Sequence, residues 1–126
     1  MLGDHPIHPV LLTTDLAAAR DFYHDQLGLE ILSESEAAIT FRCGGGTQLS
    51  VTKSTTGTAD QQTQAAWQVS DIRAEVAELR GRGVKVEDDD TPGLKTEDRI
   101  ADICFAWAAW IIDPRANAVG ILQINE

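Results

Sequence analysis

Residues 15–31 read DLAAARDFYHDQLGLEI, and a related segment, DIRAEVAELRGRGVKV, follows at residues 71–86. Each segment begins with an aspartate that suits a helix N-cap, because its carboxylate accepts hydrogen bonds from free backbone amides. Apolar residues then recur every three to four positions, which gives a helix one apolar face. A glycine near the end favours helix termination, and a short apolar run follows it. The sequence therefore predicts one strand–helix–strand unit twice, with Asp71 lying 56 residues after Asp15.

Short apolar runs around the two helices predict the remaining strands. The predicted strands are Ile7–Thr13, Glu30–Ser33, Ala37–Cys43, Thr47–Lys53, Ala65–Val69, Val84–Glu87, Cys104–Ile112 and Ala118–Ile124. The three glycines at 44–46 have predicted strands on both sides, which favours a hairpin turn over a phosphate-binding loop. An acidic segment that contains Gly and Pro predicts a loop after Glu87 that continues through about Asp98, and a turn joins the last two strands. The order is βαβββ, twice.

This repeat predicts an α+β fold in which two βαβββ modules form a curved mixed sheet with a cleft and both helices on one side. We expect the modules at about residues 5–53 and 64–126, with a Ser/Thr/Gln-rich linker at about 54–63. Neither module is long enough to bury a core alone, so residues 1–126 are expected to form one domain. The open sheet edges and apolar surface of such modules favour a homodimer.

Composition narrows the possible partners. The net charge is −10 and no basic stripe offsets it, so nucleic-acid binding is not expected. This acidity either favours a cationic ligand or keeps the protein soluble. The sequence has no apolar run of 18 residues and its first residues lack the pattern of a signal peptide, so we expect no membrane span and a cytoplasmic location. Cys43 and Cys104 lie far apart, which favours free thiols over a disulfide or a metal site.

The chain resembles the vicinal oxygen chelate superfamily, which contains glyoxalase I, extradiol dioxygenases and the bleomycin-resistance proteins. Three motifs carry the resemblance: Asp15-Leu16 through Phe22-Tyr23, then Leu27-Gly28-Leu29, and Trp110-Ile111-Ile112-Asp113-Pro114 with Asn117. Together with the duplication, they cover essentially the whole chain. The resemblance implies the fold more specifically than the activity, because the same fold hosts several chemistries and also non-catalytic binders.

Catalytic members of this superfamily hold a divalent metal with four side chains, and the resemblance places those positions in this chain. The first is His8, seven residues before Asp15, and a histidine is a competent ligand. The others fall at Ser50, Ala65 and Gly120, where the resemblance leads one to expect metal-binding side chains. Alanine and glycine offer no donor atom, and one histidine with one neutral hydroxyl does not hold such an ion. We therefore predict no metal and no other cofactor.

Without a metal, the expected cleft has small residues at the former ligand positions and aromatic walls. Such a hollow suits a flat or apolar small molecule. The residues predicted to line it are His8, Arg42, Gln48, Ser50, Trp67, Trp110, Gly120 and Leu122. Trp107 and Trp110 have opposite parity in a regular strand, so only one of them is expected to face the ligand.

The sequence favours a metal-free small-molecule binding protein of the glyoxalase/bleomycin-resistance type, with an unknown ligand. An enzyme remains the alternative, either metal-dependent or using His8 as a general base. A third possibility is an accessory subunit whose sheet face serves only in dimerisation. The catalytic residues of any such enzyme are not identified by the sequence.

Overall fold

The computed structural model describes residues 1–56, 63–87, 90–91, 94–97, 99–102 and 106–124. The chain divides into two compact units, one formed by Met1–Asp60 with Pro114–Asn117 and the other by Gln61–Asp113 with Ala118–Glu126. Most of the predicted linker, residues 57–62, lies outside the described residues. Among the helices of the described residues, none has the length and apolar character needed to cross a membrane.

The first unit has the predicted βαβββ order. Its elements are β1 (Val10–Thr13), α1 (Leu16–Arg20), a π-helical turn that continues α1 (Asp21–Gln26), β2 (Glu30–Glu34), β3 (Ala38–Arg42) and β4 (Gln48–Lys53). The strand order is β1-β4-β3-β2, in which β1 is parallel to β4 and the other neighbours are antiparallel. The sheet is therefore mixed, and β1 lies at its edge, where the proline just before it, Pro9, does not interrupt a central strand.

The repeated segment folds in the first unit as its sequence predicts. The Asp15 carboxylate accepts a hydrogen bond from the Ala18 amide at 3.1 Å, and Gly28 adopts a φ of 78° after the helix. Phe22 and Tyr23 are buried against the sheet, and the Tyr23 ring centroid lies 5.7 Å from that of Phe41. The apolar helical stripe thus becomes half of the core of this unit.

The turn at Pro114–Asn117 groups with the first unit. Arg115 Nη2 lies 3.2 Å from Asp15 Oδ2, and the fully buried Asn117 donates from Nδ2 to the Leu12 carbonyl at 2.7 Å. The pKa of Asp15 is lowered, chiefly because its carboxylate accepts the Ala18 amide bond and secondly because Arg115 stabilises the charge.

The second unit repeats this order with an added hairpin. Its elements are β5 (Thr63–Gln68), α2 (Ile72–Gly81), β6 (Asp90–Thr91), β7 (Leu94–Glu97), β8 (Ile100–Asp102), β9 (Ala106–Ile112) and β10 (Ala118–Ile124). The strand order is β5-β10-β9-β8-β7-β6, with β5 parallel to β10 and the other neighbours antiparallel. Asp71 caps α2 through the Ala74 amide at 3.2 Å, and the helix buries Ile72 and Val76.

Two sequence predictions in the second unit are wrong. The strand predicted at Val84–Glu87 forms only one bridge, between Val86 and Ile111. The predicted acidic loop contains strands instead, because β7 and β8 pair with each other and β8 pairs with the edge of β9. The α+β class and the two βαβββ modules are confirmed.

Candidate functional site

In the first unit, strand register brings three of the predicted site residues to one face of the sheet. Ser50 pairs with Thr40 on β3, and its hydroxyl oxygen lies 3.2 Å from that of Thr40. Gln48 pairs with Arg42 on the same face, which is opposite to the face that carries Phe41. We refer to this surface as the Ser50 face. It is also the face of the β1 residues Val10 and Leu12, since Val10 pairs with Ser50 and Leu12 with Thr52.

Three polar side chains on the Ser50 face, those of Thr40, Ser50 and Arg42, already have partners within the protein. The Ser50 and Thr40 hydroxyls bond to each other, which leaves Ser50 a neutral oxygen in a side-chain pair. Arg42 is exposed, and its Nε lies 3.5 Å from a carboxylate oxygen of Glu30. An exposed ion pair of this kind is weak, so Arg42 can exchange Glu30 for another anion at little cost.

His8 differs from these residues, because one of its nitrogens has no partner. It lies just before β1, and strand alternation from Val10 places it on the Ser50 face. Its Nδ1 atom is buried and has no hydrogen-bond partner, alone among the buried side-chain nitrogens and oxygens of the described residues. A buried polar atom without a partner is unfavourable, so this nitrogen is a candidate contact for a ligand.

In the second unit, Gly120 marks the corresponding surface. Gly120 lies in the middle of β10 and pairs with Ala66 on β5 and Trp110 on β9. The indole nitrogen of Trp110 donates to the Thr63 hydroxyl at 3.1 Å. A Cβ atom at position 120 would lie 3.7 Å from this nitrogen, so the indole edge covers the glycine. The predicted neighbour Leu122 is half-buried and lies on the same face, by alternation along β10.

We refer to this surface as the Gly120 face. It contains Thr63, Ala66, Gln68, Ala101, Ala106, Ala108, Trp110, Ile112, Ala118, Gly120, Leu122 and Ile124. None of these residues is ionisable. Helix α2 packs on the opposite face, where Gln123 Oε1 accepts a hydrogen bond from the Ile72 amide at 2.8 Å.

The structure does not place Trp67 or Ala65 beside Gly120, and this corrects the predicted grouping. Trp67 pairs with the buried Ile121, and Ala65 pairs with the buried Val119, so both lie on the face that packs against α2. The residue beside Gly120 is Ala66, which likewise has no donor atom for a metal. The internal repeat contained the missing information. Trp67 lies four residues before the helix cap Asp71, just as Leu11 lies four residues before the equivalent cap Asp15. Because Leu11 is buried, the repeat indicates the helix-facing side of the sheet for Trp67.

Trp107 and Trp110 lie on opposite faces, as their parity predicts. Trp107 pairs with Gln123, on the α2 side, whereas Trp110 pairs with Gly120. Trp107 and Gln123 line a cavity of about 210 Å³ together with Asp71, Ile72, Arg73 and Ile100. Trp110 is therefore the predicted tryptophan that lies beside Gly120, one of the four positions where the resemblance places a metal ligand. Its partner Thr63 has no local signal in the sequence, because the two residues lie 47 positions apart.

The residues present do not fit the divalent metal that the resemblance implies. The described residues contain no group of three His, Cys, Asp or Glu side chains that could hold an ion. Ser50 offers a neutral hydroxyl that is already paired, while Ala66 and Gly120 offer no donor atom. Stable sites for these metals need several imidazole, thiolate or carboxylate ligands. Cys43 is a free thiol in the first unit, and Cys104 lies outside the described residues.

Comparisons with solved structures show proteins of the same fold. The chain is similar to the antibiotic-binding protein TnmS3 from Streptomyces sp. CB03234, with 22% identity, a TM-score of 0.68 and 96% of each chain covered. It is similar to a bleomycin-binding protein complexed with bleomycin, with 16% identity, a TM-score of 0.71 and coverage of 97% of this chain and 99% of the other. A lactoylglutathione lyase from Agrobacterium tumefaciens has 22% identity and a TM-score of 0.68, with 94% and 92% covered.

Sequence comparison defines the family. No curated protein matches this sequence significantly. The model of the Glyoxalase/Bleomycin resistance protein/Dioxygenase superfamily, however, matches residues 5–115. Since this match spans most of the chain, the protein belongs to the Glyoxalase/Bleomycin resistance protein/Dioxygenase superfamily.

Proposed function

We propose that the protein binds a small molecule without using a metal. This proposal depends mainly on Gly120, which has no side chain and lies under the indole of Trp110. A metal ligand at this position would need a side chain in the space that the indole edge occupies. The paired Ser50 hydroxyl on the other unit supports the same conclusion, because it is a neutral and weak ligand.

The chemistry of the Gly120 face supports a ligand that is partly flat and apolar. Trp110 and Leu122 are half-buried on the Gly120 face, and an indole stabilises aromatic rings by stacking and dispersion. The Ser50 face of the first unit is a separate surface and carries the polar residues His8, Gln48, Ser50 and Arg42. The similarity to an antibiotic-binding protein and to a bleomycin-binding protein is consistent with a ligand of drug size.

Ligand binding is tested with a pair of tryptophan variants. We would screen an aromatic metabolite set and bleomycin by intrinsic fluorescence and thermal shift, and repeat each hit on Trp110→Ala and Trp67→Ala. Trp110→Ala should weaken binding about tenfold or more, because it removes an aromatic contact. Trp67→Ala is the matched control, since it removes an indole from the opposite face of the same sheet. Equal losses in the two folded variants would contradict the assignment of the site to the Gly120 face.

The absence of a metal is tested by elemental analysis of protein purified without chelator. We expect less than a tenth of an equivalent, on the order of adventitious metal, because the available ligands are too few. One equivalent of Ni, Zn, Fe or Mn that disappears in His8→Ala would overturn the proposal and place the protein among the enzymes.

A second candidate function is an enzyme that uses His8, with or without a metal. The buried Nδ1 atom without a partner favours it, because a catalytic imidazole needs a nitrogen free to exchange a proton. The similarity to a lactoylglutathione lyase is consistent with this alternative. If it is correct, a ligand found in the screen should be converted to product, and His8→Gln should abolish turnover while changing affinity less than tenfold. Recovery of every ligand unchanged would exclude it for those ligands.

We also propose that the protein forms a homodimer. Strand β1 is an edge of the four-stranded sheet of the first unit, and its residues Val10 and Leu12 are 58% and 40% exposed. Edge strands with exposed apolar residues favour association. A stable dimer would bury about 1,200 Å² or more in total. Light scattering that gives the monomer mass at micromolar concentration would refute this.

A further inference from the structure

We propose that Thr63 determines which ligands bind to the Gly120 face. Its hydroxyl donates a hydrogen bond to a carbonyl-type acceptor of the ligand. This acceptor is carried by a neutral planar ring that lies against Trp110. This inference rests on the proposed function, and it adds the chemical class of the group recognised on the Gly120 face. Three features of that face support it: the direction of the Trp110–Thr63 hydrogen bond, the close packing beneath it, and the absence of charge.

The first feature is the direction of the hydrogen bond between Trp110 and Thr63. An indole N–H can only donate, so at 3.1 Å the Thr63 oxygen must accept. The hydroxyl proton of Thr63 is then left to donate elsewhere. Within the described residues it has no acceptor, and the Thr63 side chain is exposed. A ligand that reaches this face therefore meets a donor already oriented by the indole, and the two bonds in series strengthen each other.

The second feature is the packing that fixes these two side chains. Measured from a Cβ atom built at Gly120, Ala66 Cβ lies at 3.4 Å, Thr63 Cγ2 at 3.5 Å and Trp110 Nε1 at 3.7 Å. The Trp110 backbone is held as well, because its carbonyl accepts the Glu87 amide at 2.8 Å. The donor and the ring wall are thus positioned before a ligand arrives, which reduces the entropy lost on binding.

The third feature is the absence of ionisable side chains from the described residues of the Gly120 face. A charged group that leaves water for this surface would lose its hydration and gain no counter-charge, which is unfavourable. The net charge of −10 is a property of the whole protein and supplies no local anion here. The group recognised on this face is therefore uncharged, even if other parts of the ligand carry charge.

The test uses three planar probes: fluorenone, which is neutral with a carbonyl, fluorene, which lacks the carbonyl, and 9-aminoacridine, which is a cation at neutral pH. Affinities are measured by tryptophan fluorescence for the wild-type protein, Thr63→Val, Thr63→Ser and Trp110→Phe. The wild-type protein should bind fluorenone about three- to tenfold more tightly than fluorene, the effect of one hydrogen bond. It should bind 9-aminoacridine no more tightly than fluorene at physiological salt.

Valine has nearly the shape of threonine but has no hydroxyl, so in Thr63→Val the affinities for fluorenone and fluorene should become equal, while Thr63→Ser should retain the preference for fluorenone. Trp110→Phe keeps a ring but removes the N–H, so the preference should fall. If Thr63→Val leaves the preference unchanged, or if the cation binds best, the inference is overturned while the proposed function stands. If no probe and no member of the wider screen binds the wild-type protein, both are overturned.

Discussion

Replacing Gly120 by alanine and by valine tests why a glycine stands where a metal ligand is expected. Gly120 is buried between β5 and β9, and its backbone is not in the left-handed region, so larger residues are limited only by space. A Cβ atom there would make ordinary van der Waals contacts at 3.4–3.7 Å with Ala66, Thr63 and Trp110. The alanine variant should therefore fit without movement of the indole.

The two variants should change stability in opposite directions. Alanine buries one methyl group, worth about 0.8 kcal/mol, and reduces the freedom of the unfolded chain, so we expect it to stabilise by about 1 kcal/mol. Valine adds carbons about 1.5 Å beyond Cβ, too close to an indole nitrogen that is 3.7 Å from Cβ. Overpacking costs about 1–3 kcal/mol, and displacing the indole also loses the Trp110–Thr63 bond, worth about 1 kcal/mol.

Urea unfolding followed by circular dichroism measures both changes, with the m-value as a check on two-state behaviour. Valine should be less stable than the wild type by about 2–4 kcal/mol, and therefore less stable than alanine by about 3–5 kcal/mol. Gly81 provides the control, because nothing lies within 4 Å of a Cβ built there, and alanine and valine at position 81 should differ by only about 0.5 kcal/mol. If valine at position 120 is as stable as alanine, the indole does not restrict this site and the argument against a metal ligand is wrong.

Two other substitutions test the turn at Pro114–Asn117. Asn117→Ala removes a fully buried donor to the Leu12 carbonyl and should destabilise by about 2 kcal/mol, measured by urea unfolding, while Arg115→Ala breaks an exposed pair and should cost less than about 1 kcal/mol. Asp15→Asn tests the acid response, because asparagine keeps a helix cap but not the charge. Folding lowers the pKa of Asp15, so the charged carboxylate stabilises the folded protein. This stabilisation is complete at pH values above the ordinary aspartate pKa of about 3.9, and it is lost as the pH falls through the lower pKa of the folded state. The difference in unfolding free energy between wild type and Asp15→Asn should therefore be constant from about pH 7 to pH 5 and shrink below about pH 4, and a difference that persists at low pH would contradict the assignment.

Local patterns in the sequence were sufficient for most of the fold. The caps at Asp15 and Asp71 and the glycine at position 28 each act through the residues next to them, and all three form as predicted. Strand β10 was predicted with both ends correct, at Ala118 and Ile124, because a turn and an uninterrupted apolar run define it.

Features that depend on pairing between distant strands were predicted less well. Trp67 was placed beside Gly120 by counting along the chain, but the actual register pairs it with Ile121. A register shift near Ala118 adds one residue on β5, and a shift of one residue moves a side chain to the other face. The contact between Trp110 and Thr63, 47 residues apart, depends on the same register. The buried nitrogen of His8 was not predictable either, since its environment is formed by the folded protein.

The two modules share one framework, yet their equivalent sheet faces have different chemistry. Thr40 on β3 and Trp110 on β9 occupy matching positions on the next-to-last strand of each module. Thr40 pairs with Ser50, and Trp110 pairs with Gly120. In the first module this pair is two hydroxyls, whereas in the second it is an indole over a glycine. Gly120 has no side chain, so it offers no donor atom at the position where Ser50 of the first module offers a hydroxyl. The second module therefore keeps the strand pairing of the first, but it replaces a pair of hydroxyls by the close packing of an indole on a glycine.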